Sequence, residues 1–228
     1  MKAVVLLLAA GRGTRLGSDR PKALVDVGAR SLLDRSLEAI SRWTGVDGVV
    51  VAAPPGNVDD VSEVARRGTV EIVAVVEGGA TRQESVARAL DAVPQGCDVV
   101  VCHDVARPFA TAALCAAVLD ALGDADGAVP AMPVSDTVKR VSGTVVVETV
   151  PRDDLVAAQT PQAFRRGALE DAHRDARAAA VVSTDDAALL ERLGMRVVVV
   201  PGDPMNIKIT VPKDVAAAEA ITARLGDV

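Results

Sequence analysis

Two patterns of apolar and polar positions alternate along this 228-residue chain. Valine-rich runs without internal polar alternation predict strands at Ala3–Leu8, Val46–Ala53, Val70–Val76, Asp98–Cys102, Gly127–Met132 and Met195–Val200. Continuous runs of this kind suit parallel strands buried on both faces. Helical spacing fills the gaps. Ser31-Leu32-Leu33-Asp34 has the form of a capping box and opens a helix to about Ser41. A turn at Pro54–Asn57 leads to a short helix over Val58–Arg67. Thr81-Arg82-Gln83-Glu84 opens another helix, with Val86, Leu90 and Val93 on its apolar face. Further helices are predicted over Thr111–Leu122, over Phe164–Arg177 and from the Ser183–Asp186 cap to about Leu193. A last helix starts at Pro212, a residue suited to a first helical turn, and runs to about Leu225. This rhythm predicts an α/β fold: an open, mostly parallel sheet flanked by helices, forming a single domain over 1–228. Ligands of such sheets sit beyond the carboxyl ends of the strands.

The rhythm breaks after Pro133. Thr137–Val141 and Thr144–Thr149 flank Ser142-Gly143, which is a hairpin signal. A two-stranded hairpin is marginal alone. Residues 134–153 are therefore expected to project as a β-arm that packs on a second subunit.

Composition narrows the partners. Half of the residues are hydrophobic, yet Trp43, Phe109 and Phe164 are the only aromatics apart from histidine. The formal net charge is −6. With few rings to stack on bases and no broad basic face, nucleic acid is excluded as a partner. Cys97, Cys102 and Cys115 are odd in number and lack metal-binding spacing, so they read as core thiols of a reducing compartment. The opening apolar run is too short to span a membrane. The expected location is the cytoplasm.

Positive charge is concentrated instead. Gly11 to Lys22 holds three glycines and four basic side chains, directly after the first strand. Glycine lets the backbone bend and approach a ligand closely, and inward-facing N–H groups cradle anions. Neither the dinucleotide fingerprint nor the ATPase loop is present. Arg15 offers a planar fork and Lys22 a compact charge to the oxygens of a polyphosphate. Gly78-Gly79 after the third strand allow backbone to approach a flat ligand, with Ser85 in the next helical turn. His103-Asp104-Val105-Ala106-Arg107-Pro108 ends the fourth strand. There Asp104 can bind a metal or accept from a sugar hydroxyl, and Arg107 can hold that carboxylate or a phosphate. His103 reads as a packing residue, since no Ser or Cys nucleophile accompanies it, and His173 has no assigned role. Thr137, Arg152, Thr160, Thr184 and Lys208 are polar groups at strand ends or on the arm. Lacking a His/Cys cluster, the chain would hold a hard ion through phosphates and one or two carboxylates, which points to Mg2+.

Taken in order, these motifs resemble one family. They are Ala9–Gly17 with Pro21-Lys22, Gly78-Gly79 with Arg82 and Ser85, His103–Pro108, Pro133 with Asp136–Lys139, Thr160-Pro161-Gln162, Thr184-Asp185, and Asn206–Thr210. The family is the 2-C-methyl-D-erythritol 4-phosphate cytidylyltransferases of the non-mevalonate isoprenoid pathway; related ribitol 5-phosphate cytidylyltransferases share most of the motifs. The resemblance implies a Rossmann-like nucleotidyltransferase fold and a homodimer with exchanged arms. It implies CTP and a polyol phosphate as substrates and Mg2+ as the ion. Arg15, Lys22 and Lys208 would be catalytic. Ala10, Gly11, Arg12, Gly13, Thr14, Gly79, Ser85 and Asp104 would bind the nucleotide. Asp104 would also hold the metal, and it would join Arg107, Thr137, Arg152, Thr160, Thr184 and Lys208 around the polyol phosphate. Ala23, Val105, Asp186 and Met205 depart from the residues common at those places.

Overall fold

The computed structural model describes residues 2–18 and 20–224. In chain order the elements are β1 (Ala3–Leu8), β2 (Asp26–Val27), β3 (Arg30–Ser31), α1 (Leu32–Ser41), β4 (Gly48–Ala53), α2 (Val58–Ala65) and β5 (Ile72–Glu77). They continue with α3 (Arg82–Asp91), β6 (Val99–Asp104), α4 (Ala112–Ala121), β7 (Gly127–Pro133), β8 (Val138–Ser142) and β9 (Val145–Val150). The last are β10 (Val156–Ala158), β11 (Gln162–Arg165), α5 (Arg166–Ala178), α6 (Ala187–Arg192), β12 (Val197–Pro201) and α7 (Pro212–Arg224). The predicted helix end near Leu225 lies outside the described residues.

One mixed sheet carries the molecule, in the order β10-β7-β11-β6-β1-β4-β5, with β12 on the free edge of β7. The pairs β6–β1, β1–β4, β4–β5 and β7–β12 are parallel. β10 and β11 run antiparallel to β7. Two-sided burial explains the unbroken apolar runs. Along β1, Ala3, Val5 and Leu7 join a core under α1, α2, α4 and α7, whereas Val4, Leu6 and Leu8 join a second under α3, α5 and α6. The α1 start is a full capping box, in which Ser31 Oγ accepts from the Asp34 N–H while Asp34 accepts from the Ser31 N–H.

One predicted element needs correction. Phe164 does not begin a helix; it lies in β11, and α5 starts at Arg166. The three- and four-residue strands β10 and β11 are too short to show a period. Phe164 is fully buried against Gly127, where an added Cβ would lie 2.8 Å from the ring. The helical face begins only at Leu169 and Ala172. The predicted hairpin forms as β8–β9, which pairs with no strand of the main sheet. Its Val141, Val145, Val146 and Val147 are all more than half exposed. Among the described residues, no helix is long and apolar enough to cross a membrane.

Candidate active site

Sheet register brings distant motifs to one edge. Parallel pairing sets Asp104, the last residue of β6, beside Leu8, the last of β1. The chain then leaves β1 in a loop that turns back on itself. Gly13 (φ 72°) starts a single tight turn over Thr14–Leu16, and Gly17 (φ 68°) ends it. Both are in the left-handed region that glycine tolerates. Lys22 N–H donates to Gly11 O at 3.2 Å and closes the loop. Gly13 also packs on the Lys22 backbone, so that a Cβ there would sit 3.1 Å from Lys22 Cα. The lysine thus returns to the mouth of β1 fixed by its own main chain.

A second wall follows β5. Gly78 N–H donates to Ala53 O at 2.8 Å, holding the turn to the sheet. Gly79 N–H donates to Ser85 Oγ at 3.0 Å, and that hydroxyl donates to Thr81 O at 2.8 Å. Thr81 caps α3 by accepting from Glu84 N–H, while Glu84 accepts from Ala80 N–H at 2.7 Å. Gly79 has no room for a side chain: a Cβ would lie 2.2 Å from Glu84 Cβ and 3.1 Å from its backbone carbon. Overpacking of this kind costs about 1–3 kcal/mol. Gly79→Ala is therefore expected to lower the melting temperature by several degrees; an unchanged melt would contradict the packing.

The third wall is the segment before α7. Ile209 N–H donates to Ala106 O at 2.8 Å, and Asn206 Nδ2 donates to Thr160 O at 2.8 Å. Lys208 is thereby turned toward Asp104, with Nζ 2.6 Å from Oδ2. Arg82 Nε stands 3.4 Å from the other Asp104 oxygen, and Arg82 Nη1 reaches Asp186 at 2.7 Å.

These walls enclose a cleft of about 640 Å³. Of the predicted residues, Ala10, Gly11, Arg12, Arg15, Lys22, Gly79, Ser85, Asp104 and Lys208 line it. Arg82 lines it too, without a role from sequence. Burial pushes the Lys22 ammonium down to about 8, and the nearby charges of Lys208 and Arg15 add to the drop. Burial alone would raise the Asp104 carboxyl, but Lys208 and Arg82 hold it well below the usual carboxylate range. The cleft is a set of crowded cations around one ionised carboxylate.

Other predicted residues stand elsewhere. Thr14 lies in the exposed turn, and Gly13 serves the loop backbone. Arg107 donates to Asn206 O at 2.7 Å and holds the Lys208 segment rather than facing the cleft. Thr160 is buried; its hydroxyl accepts from Asp104 N–H at 3.1 Å and lies 3.0 Å from His103 Nδ1. His103 Nε2 meets Arg107 O at 3.1 Å, so Nε2 carries the hydrogen and Nδ1 accepts from Thr160. Burial pushes this imidazole down to about 4, and it packs edge-on against Trp43, as a structural histidine would. Thr184 is exposed and outside the cleft wall. Within the arm, Thr137 directly precedes β8, and Arg152, just past β9, bonds to Ser135 O. Neither reaches the cleft within one chain.

The family profile described as "IspD: 2-C-methyl-D-erythritol 4-phosphate cytidylyltransferase" matches residues 3–224. A protein of that name from Deinococcus radiodurans is 46% identical, over 98% of this chain and 91% of its own length. A "Bifunctional enzyme IspD/IspF" from Nitratidesulfovibrio vulgaris is 44% identical over 96% of this chain, which spans only 58% of that larger protein. Among solved structures, the 2-C-methyl-D-erythritol 4-phosphate cytidylyltransferase of Thermus thermophilus superposes with a TM-score of 0.79 at 37% identity, covering 96% of this chain and 98% of its own. The 4-diphosphocytidyl-2C-methyl-D-erythritol synthase of Anaerococcus prevotii gives 0.86 at 29% identity, covering 97% and 98%.

Proposed function

We propose what this chain does from one premise: it belongs to the 2-C-methyl-D-erythritol 4-phosphate cytidylyltransferase family. It transfers the cytidylyl group of CTP to 2-C-methyl-D-erythritol 4-phosphate and releases pyrophosphate. The observation that carries this reading is the crowding of Lys22, Arg15 and Lys208 in one cleft, where burial and the other two charges disfavour the Lys22 ammonium until a polyanion arrives.

The incoming phosphate has a second pKa near 6, so it is already an oxyanion at neutral pH and no general base is required. That agrees with a neutral, fully buried His103. The obstacle is repulsion between two polyanions, together with the charge that grows on the leaving pyrophosphate. Positioning and electrostatic stabilisation supply the catalysis. Lys22 and Arg15 neutralise the triphosphate, and Lys208 faces the incoming phosphate. Backbone at Ala10, Gly11 and Gly79 holds the nucleoside, with Arg12 at the rim.

The donor set fits Mg2+. Asp104 is the one carboxylate among the described residues lining the cleft, and no group of three His, Cys, Asp or Glu gathers there or elsewhere among them. Magnesium is commonly bound by one or two carboxylates together with substrate phosphates. Asp104 would hold it alongside the triphosphate oxygens, where its charge would oppose the charge developing on pyrophosphate.

The second substrate is read as reaching a site shared between subunits of a homodimer. The support is the arm, whose valines stay more than half exposed, and the absence of Thr137 and Arg152 from the wall of their own cleft. Arg152→Ala is expected to raise KM for the polyol phosphate about tenfold or more and leave KM for CTP nearly unchanged. Mixed with Lys22→Ala chains, it should regain activity that neither parent shows. No recovery, or a strict monomer in sedimentation, would contradict arm exchange. The three buried free thiols suit a reducing cytoplasm.

Pyrophosphate release across a panel of nucleoside triphosphates and polyol phosphates tests the function. CTP with 2-C-methyl-D-erythritol 4-phosphate should exceed every other pair; preference for ribitol 5-phosphate or another base would overturn it. A pH dependence follows as well. Lys22 is charged below about 8 and loses its proton above it. A bound polyanion favours the charged form, so kcat/KM for CTP should fall as pH rises through about 8. Lys22→Arg should remove that limb, since arginine stays charged.

A further inference from the structure

A line of ion pairs and hydrogen bonds runs from the cleft into the interior: Lys208, Asp104, Arg82, Asp186, His173. Its inner end, Asp186 and His173, is not among the residues that line the cleft. Asp186 is 1% exposed and His173 is 5% exposed, and His173 Nε2 lies 2.9 Å from Asp186 Oδ1. Asp186 comes from the turn before α6, His173 from the middle of α5, and Arg82 from the first residue of α3. A carboxylate buried this deeply is costly unless paired and hydrogen-bonded. Here it has both partners, one on each oxygen.

The guanidinium between the two carboxylates is shared unequally. Arg82 Nη1 is 2.7 Å from Asp186, while Arg82 Nε is 3.4 Å from Asp104. Arginine and carboxylate prefer a close, two-pronged pair. Asp104 receives only the long Nε contact, while the Asp186 carboxylate behind takes the short Nη1 bond. The nearer Asp104 partner is Lys208, at 2.6 Å on the other oxygen. We infer that Asp186, braced by His173, is a positioning residue that takes the short bond of Arg82 and so leaves on one Asp104 oxygen only a long contact that a metal cation can displace. This rests on the reading of Asp104 as the residue that holds Mg2+.

Without the rear carboxylate, Arg82 closes on Asp104 and occupies the oxygen a cation needs. Groups that orient a metal-binding carboxylate commonly alter metal affinity 10–100-fold when replaced. The test is calorimetric titration of CTP into the full chain, once in EDTA and once in Mg2+. The quotient of the two Kd values measures how strongly metal and nucleotide couple. Asp186→Asn should lower that quotient about tenfold relative to the unaltered protein. Adding Arg82→Gln to Asp186→Asn removes the competing guanidinium and leaves two amides able to pair; its quotient should return to the starting value or exceed it. A merely structural role predicts the opposite, a double variant no better than the single one.

An unchanged quotient in Asp186→Asn overturns the inference, and so does a double variant that stays low. If Asp186→Asn fails to fold by circular dichroism, the double variant decides alone, and a quotient below that of the unaltered protein overturns it. If the unaltered protein itself shows no tightening by Mg2+, the reading of Asp104 fails first and the inference with it.

Discussion

Replacing Lys22 with alanine is expected to lower kcat by about 10²–10³-fold, or about 2.7–4 kcal/mol of transition-state stabilisation, while the melting temperature holds or rises. The two halves of this expectation have one cause. Lys22 is partly desolvated and stands among like charges, so its ammonium is held down to about 8. In the free protein that charge is a burden on the fold. Under the proposed function it is relieved when phosphate oxygens arrive, and most fully when negative charge builds on the departing pyrophosphate. Removing it therefore costs the reaction and spares the structure. The loop does not collapse, because its closure is a main-chain bond from Lys22 N–H to Gly11 O, which alanine keeps. Steady-state kinetics and a thermal melt on one preparation check both halves. Near-normal turnover removes Lys22 from catalysis, and a large fall in melting temperature shows the side chain to be structural instead.

The same loop was legible in the sequence because its signals are local. Glycine and basic residues following a predicted strand mark an anion cradle wherever the strand ends. Parallel pairing of β1 and β6 then carries Asp104 to the same edge. The strand–helix rhythm was legible for a related reason: a sheet covered on both faces needs long apolar runs, and those are visible one residue at a time. Short antiparallel insertions such as β10 and β11 carry no period, so Phe164 was read into the helix that follows it. The inner charge line was hidden more deeply. Arg82 and Asp186 are 104 residues apart in sequence. Each has a local disguise, Arg82 as an ordinary first helical residue and Asp186 as one of a run of capping residues. His173 sits mid-helix on a face otherwise made of Leu169, Ala172 and Ala176. Nothing local tells such a histidine from a solvated one. The useful signal lay in Arg82 standing inside the Gly78–Ser85 motif, where a surface helix start would not require arginine.

Arg82→Met is expected to destabilise the protein by about 3–5 kcal/mol, the usual consequence of removing one partner from a buried ion pair. For a chain of this size each kcal/mol moves the melting temperature by about 2–4 °C, so a drop of about 10 °C is expected at neutral pH. The loss comes from Asp186 more than from Arg82. The arginine is a quarter exposed and can be rehydrated, whereas Asp186 is 1% exposed and keeps no cationic arginine, only His173 and a hydrogen bond with Cys102. Burial would raise the Asp186 carboxyl, yet His173 and Arg82 hold it below its ordinary value. A depressed carboxyl contributes stability above its unfolded pKa of about 3.9 and loses it as pH falls through the folded value. In Arg82→Met most of that contribution is already gone, and the buried acid takes up its proton more readily. The gap in melting temperature between the two proteins should therefore be wide at pH 7 and narrow as pH falls toward 4. Neutralising the other side as well, with Asp186→Asn added to Arg82→Gln, should recover much of the loss, because no unpaired charge remains inside. A gap of less than about 2 °C at pH 7, or one that does not change with pH, would mean that Asp186 does not depend on Arg82 for its charge.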